Sequence, residues 1–530
     1  MKKLYNILAV AGLGLTMLMS GCGGEKTGKA PEANSSKEEL VFVNYRDIRD
    51  LNPHLYAGEM YAQNILYDGL IDVVKGGFQG ALAEKWDIAP DGKTYTFHIR
   101  PGVKFSDGEV CDAKAIEANF DAILANRKRH VWLTMMSVLE SAKATDANTF
   151  VIKLSAPYYP LLTELAMIRP FAMISPKAMK NGTTKDGVEK YIGTGPYVLS
   201  KFVTGEYAVF ERNENYWGPK PKIKRIMAKV IPDNQTRIMA LEKGEVDLIF
   251  GKNMIDADTL RKYKGSKKIA MAISEPTSTR QIVLNSKNTI LKDQKVRYAL
   301  SYATNKQAIS DGIFYGMEPI AETLYAKTVP YCNVDLKPFT YDAAKASSLL
   351  QEAGWQKGAD GILEKNGEKL SLELLYNSNS VTEKNISEFL QAEYLKLGVK
   401  LNIHGEEEQS YRDRMKSGKF DLVFNISWGT PYDPQSSLSA MTGPVYGDYA
   451  AQQGLADKPK IDDAIHKIMV SVDEKARQEL FNFVLTSLHN GAIYIPLTYE
   501  CNKAVYTNKL AGVGFTESQY DIPFSDMYFQ

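Results

Sequence analysis

The chain has 530 residues, of which 64 are Lys or Arg and 63 are Asp or Glu, a formal net charge of +1. So even a balance argues against nucleic acid as a partner, because phosphate binding depends on a net basic surface or stripe. The length exceeds what one core holds, so two or three domains are expected. Four widely spaced cysteines offer no CxxC knuckle and no disulfide framework, and Cys111, Cys332 and Cys501 are read as buried free thiols.

The N-terminus reads "MKKLYNILAVAGLGLTMLMSGCGG". Lys2 and Lys3, a short apolar run and the small residues Ser20-Gly21 have the form of a signal peptide over 1–21, too short to be a spanning helix. Ser20-Gly21-Cys22 resembles a bacterial lipobox, with Met19 where leucine is usual. That implies a lipidated Cys22 as mature N-terminus, an ordinary cleavage near Gly21 being the alternative. Removal of the two leader lysines leaves one more acid than base. Residues 22–38, rich in Gly, Pro, Ser, Lys and Glu and without an aromatic, suit a flexible tether. No later run has the apolar length of a membrane span. An outward-facing protein held to the cell membrane by lipid alone is expected.

"LVFVNYR" (40–46) is the first predicted strand, followed by turn residues Asn52-Pro53 and helical apolar spacing from Met60 to Leu70. "TYTFHIR" alternates with period 2 between turn-rich "APDGK" and "PGVKFSDG", which predicts antiparallel strands. From Asp112, apolar Ala115, Ile116, Phe120, Ile123 and Leu124 keep a helical period. "NRKRHVW" (126–132) then falls at that helix's C-terminal end, where cations suit the helix dipole. This accounts for Arg127 and Lys128 but poorly for Trp132. "TFVIKLS" (149–155) reads as a strand. "IMAKVI", residues 235–243 and "VDLIF" read as strand, amphipathic helix and strand. From about residue 280 strands and helices alternate again, so two α/β lobes are predicted with the changeover near 275–285.

Catalytic constellations are missing: the sequence holds no G-x-S-x-G, P-loop, G-x-G-x-x-G or H-E-x-x-H. Six histidines show no ligand spacing, and Glu406-Glu407-Glu408 reads as a solvated run rather than an acid pair. No enzyme is expected. What stands out is arginine and aromatic residues in loops: "RKRHVW", "MIRPF", "SWGTPYDP" and "NENYWGPKP". Loops on a scaffold carry binding groups. A guanidinium fork fits a carboxylate, and Trp and Tyr wall out water. That mixture suits a compact carboxylate-bearing solute enclosed between lobes.

"LAEKWDIAPDGKTYTFHIRPGVKFSDGE", "GTGPYVL", "NENYWG" and "RIMALEKGEVDL" are landmarks of a known group. From about residue 38 onward the chain resembles the substrate-binding lipoproteins of ABC importers in the dipeptide, oligopeptide and nickel group. "LNPHLY", "NRKRHVWL", "PYYPLLTELAMIRPF", "WGTPYDP" and "AQQGLADKP" are most similar to its nickel-binding members. The resemblance implies an α/β, two-lobe periplasmic-binding-protein-like fold (type II, large three-domain class) with hinge closure over a ligand cleft. It implies a large lobe over 39–278 with about 75–205 inserted, a second lobe over 279–500 and a return to the large lobe over 501–530. Arg169 is implied to grip a carboxylate of the metal's chelator. Arg129 and Trp132 would add lining, and Met60, Trp428 and Tyr432 the walls. ABC permease and ATPase subunits are the implied partners of a monomer.

One departure matters. Where some nickel-binding relatives place a ligating histidine before "AQQGLADKP", this chain has Tyr446. A neutral imidazole ligates nickel well, whereas a phenol with pKa near 10 does so poorly. A Ni(II) complex of histidine or of an opine-type metallophore would supply its own donors. His54 is the remaining candidate for direct ligation. A peptide receptor of the same fold is the alternative, and its acid for the peptide's amino terminus would be Asp433. A secreted hydrolase on the same scaffold would need a nucleophile and base that the sequence lacks.

Overall fold

The strand Glu39–Asn44 carries the nearly continuous apolar run "LVFV" because it is covered on both faces. It pairs in parallel with Arg225–Val230 on one side and Leu248–Phe250 on the other. Helix Asn234–Glu242 joins these two, and Asp233 caps it by accepting from the Thr236 amide at 2.8 Å. The computed structural model describes residues 37–530; Cys22, the leader and nearly all of the tether lie outside them. Ten strands form the main mixed sheet, in the spatial order Tyr197–Val203, Tyr207–Arg212, Arg225–Val230, Glu39–Asn44, Leu248–Phe250, Tyr494–Thr507, Ile269–Leu284, Leu422–Ile426, Ser371–Asn377, Lys400–Glu406.

Two of these strands are long. Ile269–Leu284 has 16 residues and Tyr494–Thr507 has 14, and they run antiparallel from the pair Ile269–Thr507 to Val283–Tyr494. At one end Ile269 and Val505 belong to the core around Val43, Ile249 and Leu260. At the other, Ile282, Leu284, Ile495 and Leu497 belong to the core under the helices of residues 294–396. Between them the register shifts three times, around Pro276 and Arg280, as expected where a proline removes a ladder donor. Buried charges collect there. The Arg280 guanidinium donates to Glu500, Lys503 to Glu318 at 3.2 Å, and the Ser278 hydroxyl to Glu500 at 2.8 Å. Lys252 reaches the same Glu500 carboxylate at 3.4 Å.

A four-stranded antiparallel sheet stands apart, in the order Ala83–Ile88, Thr94–Ile99, Thr149–Leu154, Leu139–Ala144. "TYTFHI" alternates as predicted, with Tyr95, Phe97 and Ile99 buried. Helix Ala113–Ala125 covers this sheet, capped by Asp112 and burying Ala115, Ile116, Phe120 and Ile123. The glycines of "GTGPY" have a steric reason. A Cβ on Gly193 would lie 2.0 Å from the Leu66 carbonyl oxygen, and one on Gly195 2.6 Å from its carbon. The loop thus seats directly on the end of helix Met60–Leu66, and the Gly195 amide donates to Leu66 at 3.0 Å. Cys111, Cys332 and Cys501 are buried free thiols.

Candidate functional site

A cavity of about 510 Å³ opens between the loops near Tyr56 and Arg169 and the helix Glu408–Ser417. Six of the seven ligand-binding residues expected from the sequence line it: Met60, Trp132, Arg169, Trp428, Tyr432 and Tyr446. Arg169 sits in a short irregular turn, Ile168–Phe171, before a cis proline. One guanidinium nitrogen, Nη1, is spent on the carbonyls of Tyr56 at 3.1 Å and Gly58 at 3.0 Å. Among the described residues no carboxylate lies within ion-pair distance of Arg169; burial lowers its pKa, while Tyr432, Tyr520, Tyr56 and, last, Glu59 oppose the shift. A half-buried guanidinium with a free edge is a ready acceptor-binding group.

The walls are a continuous row of rings. Tyr56 meets Trp132 with centroids 5.7 Å apart, Trp132 meets Trp428 at 6.4 Å, and Trp428 meets Tyr446 at 5.9 Å. Tyr432 touches both tryptophans and also Tyr520, the last at 5.8 Å. Burial pushes the Tyr432 phenol up to about 12, so it stays protonated and neutral at ordinary pH. Tyr56 and Tyr520 were not singled out from the sequence. Tyr56 lies in the quoted "LNPHLY", but Tyr520 reaches the cavity only because strand Tyr494–Thr507 carries the chain back to it.

"NRKRHVW" divides its residues sharply. The helix ends at Ala125 and a 3-10 turn, Arg127–His130, follows. Its tighter winding turns His130 inward, fully buried, and Trp132 toward the cavity. The Trp132 indole donates to the Tyr56 hydroxyl at 2.8 Å, and that hydroxyl lies 2.6 Å from His130 Nδ1. Since the indole can only donate, the Tyr56 hydroxyl accepts from it while also bonding to the buried imidazole. Arg129 is exposed and is not among the lining residues; its guanidinium carbon lies 5.9 Å from the Tyr56 ring centre.

Arg129 thus differs from its expected place in the lining, and two further expectations need correction. His54 does not face the cavity: it is buried, with Nδ1 2.8 Å from the Thr184 hydroxyl and Nε2 3.2 Å from the Ala172 carbonyl. Both nitrogens are used internally, and burial lowers its pKa to about 3, so it is a structural neutral histidine and not a metal ligand. Asp433 is likewise turned into its own loop, accepting from the Ser427 hydroxyl at 2.5 Å and the Gly429 amide at 2.8 Å. The acids that do line the cavity are Glu383 and Glu408. Burial raises the Glu383 pKa, and Glu408 is paired with Arg412 at 2.6 Å. Among the described residues no three His, Cys, Asp or Glu side chains come together as a metal site, and no helix is long and apolar enough to cross a membrane.

With this geometry in view, comparison with known proteins is specific. The nickel-binding periplasmic protein of Escherichia coli K12 is 40% identical over 497 residues, covering 93% of this chain and 95% of that protein. The dipeptide-binding protein of the same organism is 28% identical over 487 residues, covering 87% and 89%. The crystal structure of NikA from Brucella suis in complex with Fe(III)-EDTA superposes with a TM-score of 0.91 at 42% identity, covering 93% of this chain and all of that one. The profile described as "Bacterial extracellular solute-binding proteins, family 5 Middle" matches residues 77–448. The chain therefore belongs to the family 5 bacterial extracellular solute-binding proteins, the two-lobe α/β binding proteins of ABC importers.

Proposed function

We propose that this protein captures a chelate of nickel, or of a related transition metal, whose small chelator bears carboxylates, and delivers it to the permease and ATPase subunits of its importer. The observation that carries the reading is Arg169, half-buried without a carboxylate partner beside six clustered aromatic rings, in a cavity to which the described residues bring no cluster of metal ligands. Such a site suits a complex that arrives with its donors already in place, such as nickel with histidine or an opine-type metallophore. Arg169 then takes a carboxylate, the rings exclude water, and Arg129 adds positive charge beside Tyr56. Tyr446 packs against Trp428 as wall rather than ligand. The relative crystallised with Fe(III)-EDTA and the nickel-binding relative support this class of cargo.

Closure belongs to the same proposal. Residues 39–278 and 501–530 form the large lobe, with about 75–205 inserted, residues 279–500 form the second, and the two long strands serve as the pivot. Lipidation of Cys22 would hold a monomer to the outer side of the membrane. Calorimetric titration with NiCl2 alone, nickel plus L-histidine, Fe(III)-EDTA and a short-peptide mixture tests the function. Binding that requires the chelator supports it. Binding of peptides with no response to any chelate would overturn it in favour of a peptide receptor.

A further inference from the structure

Helix Glu408–Ser417 presents Glu408, Tyr411, Arg412 and Met415 to the cavity. These positions, spaced i, i+3, i+4 and i+7, are one helical face. Arg414, on the other face, is occupied by Glu406 at 2.8 Å and by Glu373. The helix is fixed in place, because Tyr411 and Met415 are buried and the Tyr411 hydroxyl donates to the Phe424 carbonyl at 2.5 Å. Arg412 is therefore the cationic group that this fixed helix aims into the cavity.

Arg412 holds a carboxylate already. Its Nε and Nη2 both donate to one oxygen of Glu408, at 3.1 and 2.6 Å. Both side chains are about half exposed, 47% and 48%. An exposed pair one helical turn apart contributes only about twofold to an equilibrium. Exchange of Glu408 for an enclosed carboxylate is thus inexpensive, and the released Glu408 remains in water. A row of rings separates Arg412 from Arg169 along the wall. The sequence Arg169, Tyr56, Trp132, Trp428, Tyr446 proceeds by neighbouring contacts of 5.7, 5.7, 6.4 and 5.9 Å. Arg412 adjoins Tyr446, and the Glu408 carboxylate first, then Tyr446, favour its charged form.

We infer that Arg412 is a second carboxylate-binding residue, at the Tyr446 end of the cavity, and that Glu408 occupies it as an internal stand-in until a carboxylate of the cargo takes its place. This rests on the chelate reading above and deepens it. The preferred cargo presents carboxylates at two ends, one to Arg169 and one to Arg412, so that a bound chelate ties the two sides of the cavity together. Tyr446, where a ligating histidine would otherwise act, then neighbours the guanidinium that replaces direct metal contact.

Titration of wild type, Arg412→Gln, Arg412→Lys and Glu408→Gln with Fe(III)-EDTA and with nickel plus L-histidine tests this. Arg412→Gln should weaken binding by about tenfold, and Arg412→Lys should recover part of the loss. Glu408→Gln should tighten binding by about two- to threefold, because the competing carboxylate is gone. A merely structural helix pair would not give opposite signs from its two partners. Arg412→Gln binding within twofold of wild type would overturn the inference while leaving the chelate reading intact. Failure of wild type to bind either chelate would sink both.

Discussion

Arg169→Gln is the most informative single change. In the structure Nη1 is consumed by the Tyr56 and Gly58 carbonyls, which leaves Nη2 and Nε as the edge that would meet the proposed cargo. Two hydrogen bonds to a charged acceptor at about 1.5 kcal/mol each give about 3 kcal/mol, or roughly 100-fold in Kd. Glutamine ends two bonds short of Nη1, so the contacts to the Tyr56 and Gly58 carbonyls are lost together with the fork. Arg169→Lys keeps the charge and loses the fork, and should lie between the two. Affinity would be read by calorimetry with Fe(III)-EDTA, beside the thermal midpoint of each free variant. Equal affinity for wild type and Arg169→Gln, with unchanged midpoints, would refute the argument that this guanidinium is the primary anchor.

Three further outcomes follow from the fold. Glu500→Gln leaves Arg280 and Lys252 without their shared carboxylate in a buried setting, and should cost about 3–5 kcal/mol in urea unfolding; a loss under 1 kcal/mol would show that the network relaxes freely. Gly193→Ala places a methyl 2.0 Å from the Leu66 carbonyl oxygen and should cost about 3 kcal/mol, seen as a drop in Tm that Gly205→Ala, made where a Cβ meets open space but φ is +77°, should not match. His130 is buried neutral, with a pKa lowered to about 4 by burial and then by Arg129. Between pH 4 and 6.5 the unfolded chain binds a proton there that the folded chain does not, so folded stability falls as pH falls. His130→Gln should reduce the slope of stability against pH at pH 5.3 by up to about 1.4 kcal/mol per unit, and an unchanged slope would show that the imidazole is protonated in place.

The walls of the cavity were legible where a residue type was conspicuous in its loop. Trp132, Arg169, Trp428 and Tyr432 stood out among turn residues, and a loop aromatic has few structural uses besides lining. Arg412 gave no such signal, because "EEEQSYRDRMK" has the charge pattern of a solvated helix, and only the packing of Tyr411 and Met415 shows which face turns inward. Arg129 and His130 were a question of phase: one 3-10 turn after the helix decides which side chain points in, and periodicity does not register a change of winding within four residues. His54 and Asp433 illustrate a different limit. Both are polar residues in suggestive motifs, and their hydrogen bonds to Thr184 and Ser427 are made across turns or across more than a hundred residues.

The cavity is assembled from positions as far apart as Tyr56 and Tyr520, with Tyr520 set against Tyr432 after the sheet's long return strand. Contacts of such sequence separation carry a larger loop-closure cost than local ones, and enclosure needs all of them at once. A partly folded or partly synthesised chain therefore has Met60, Trp132 and Arg169 but no enclosure to retain anything beside them. Competence to hold cargo arrives with the last stage of folding, and cargo that binds only the finished state stabilises that stage by mass action. Newly made molecules would then gain their grip on cargo only after the chain has reached its final form, and proteolytic resistance acquired during refolding with and without Fe(III)-EDTA would register that order directly.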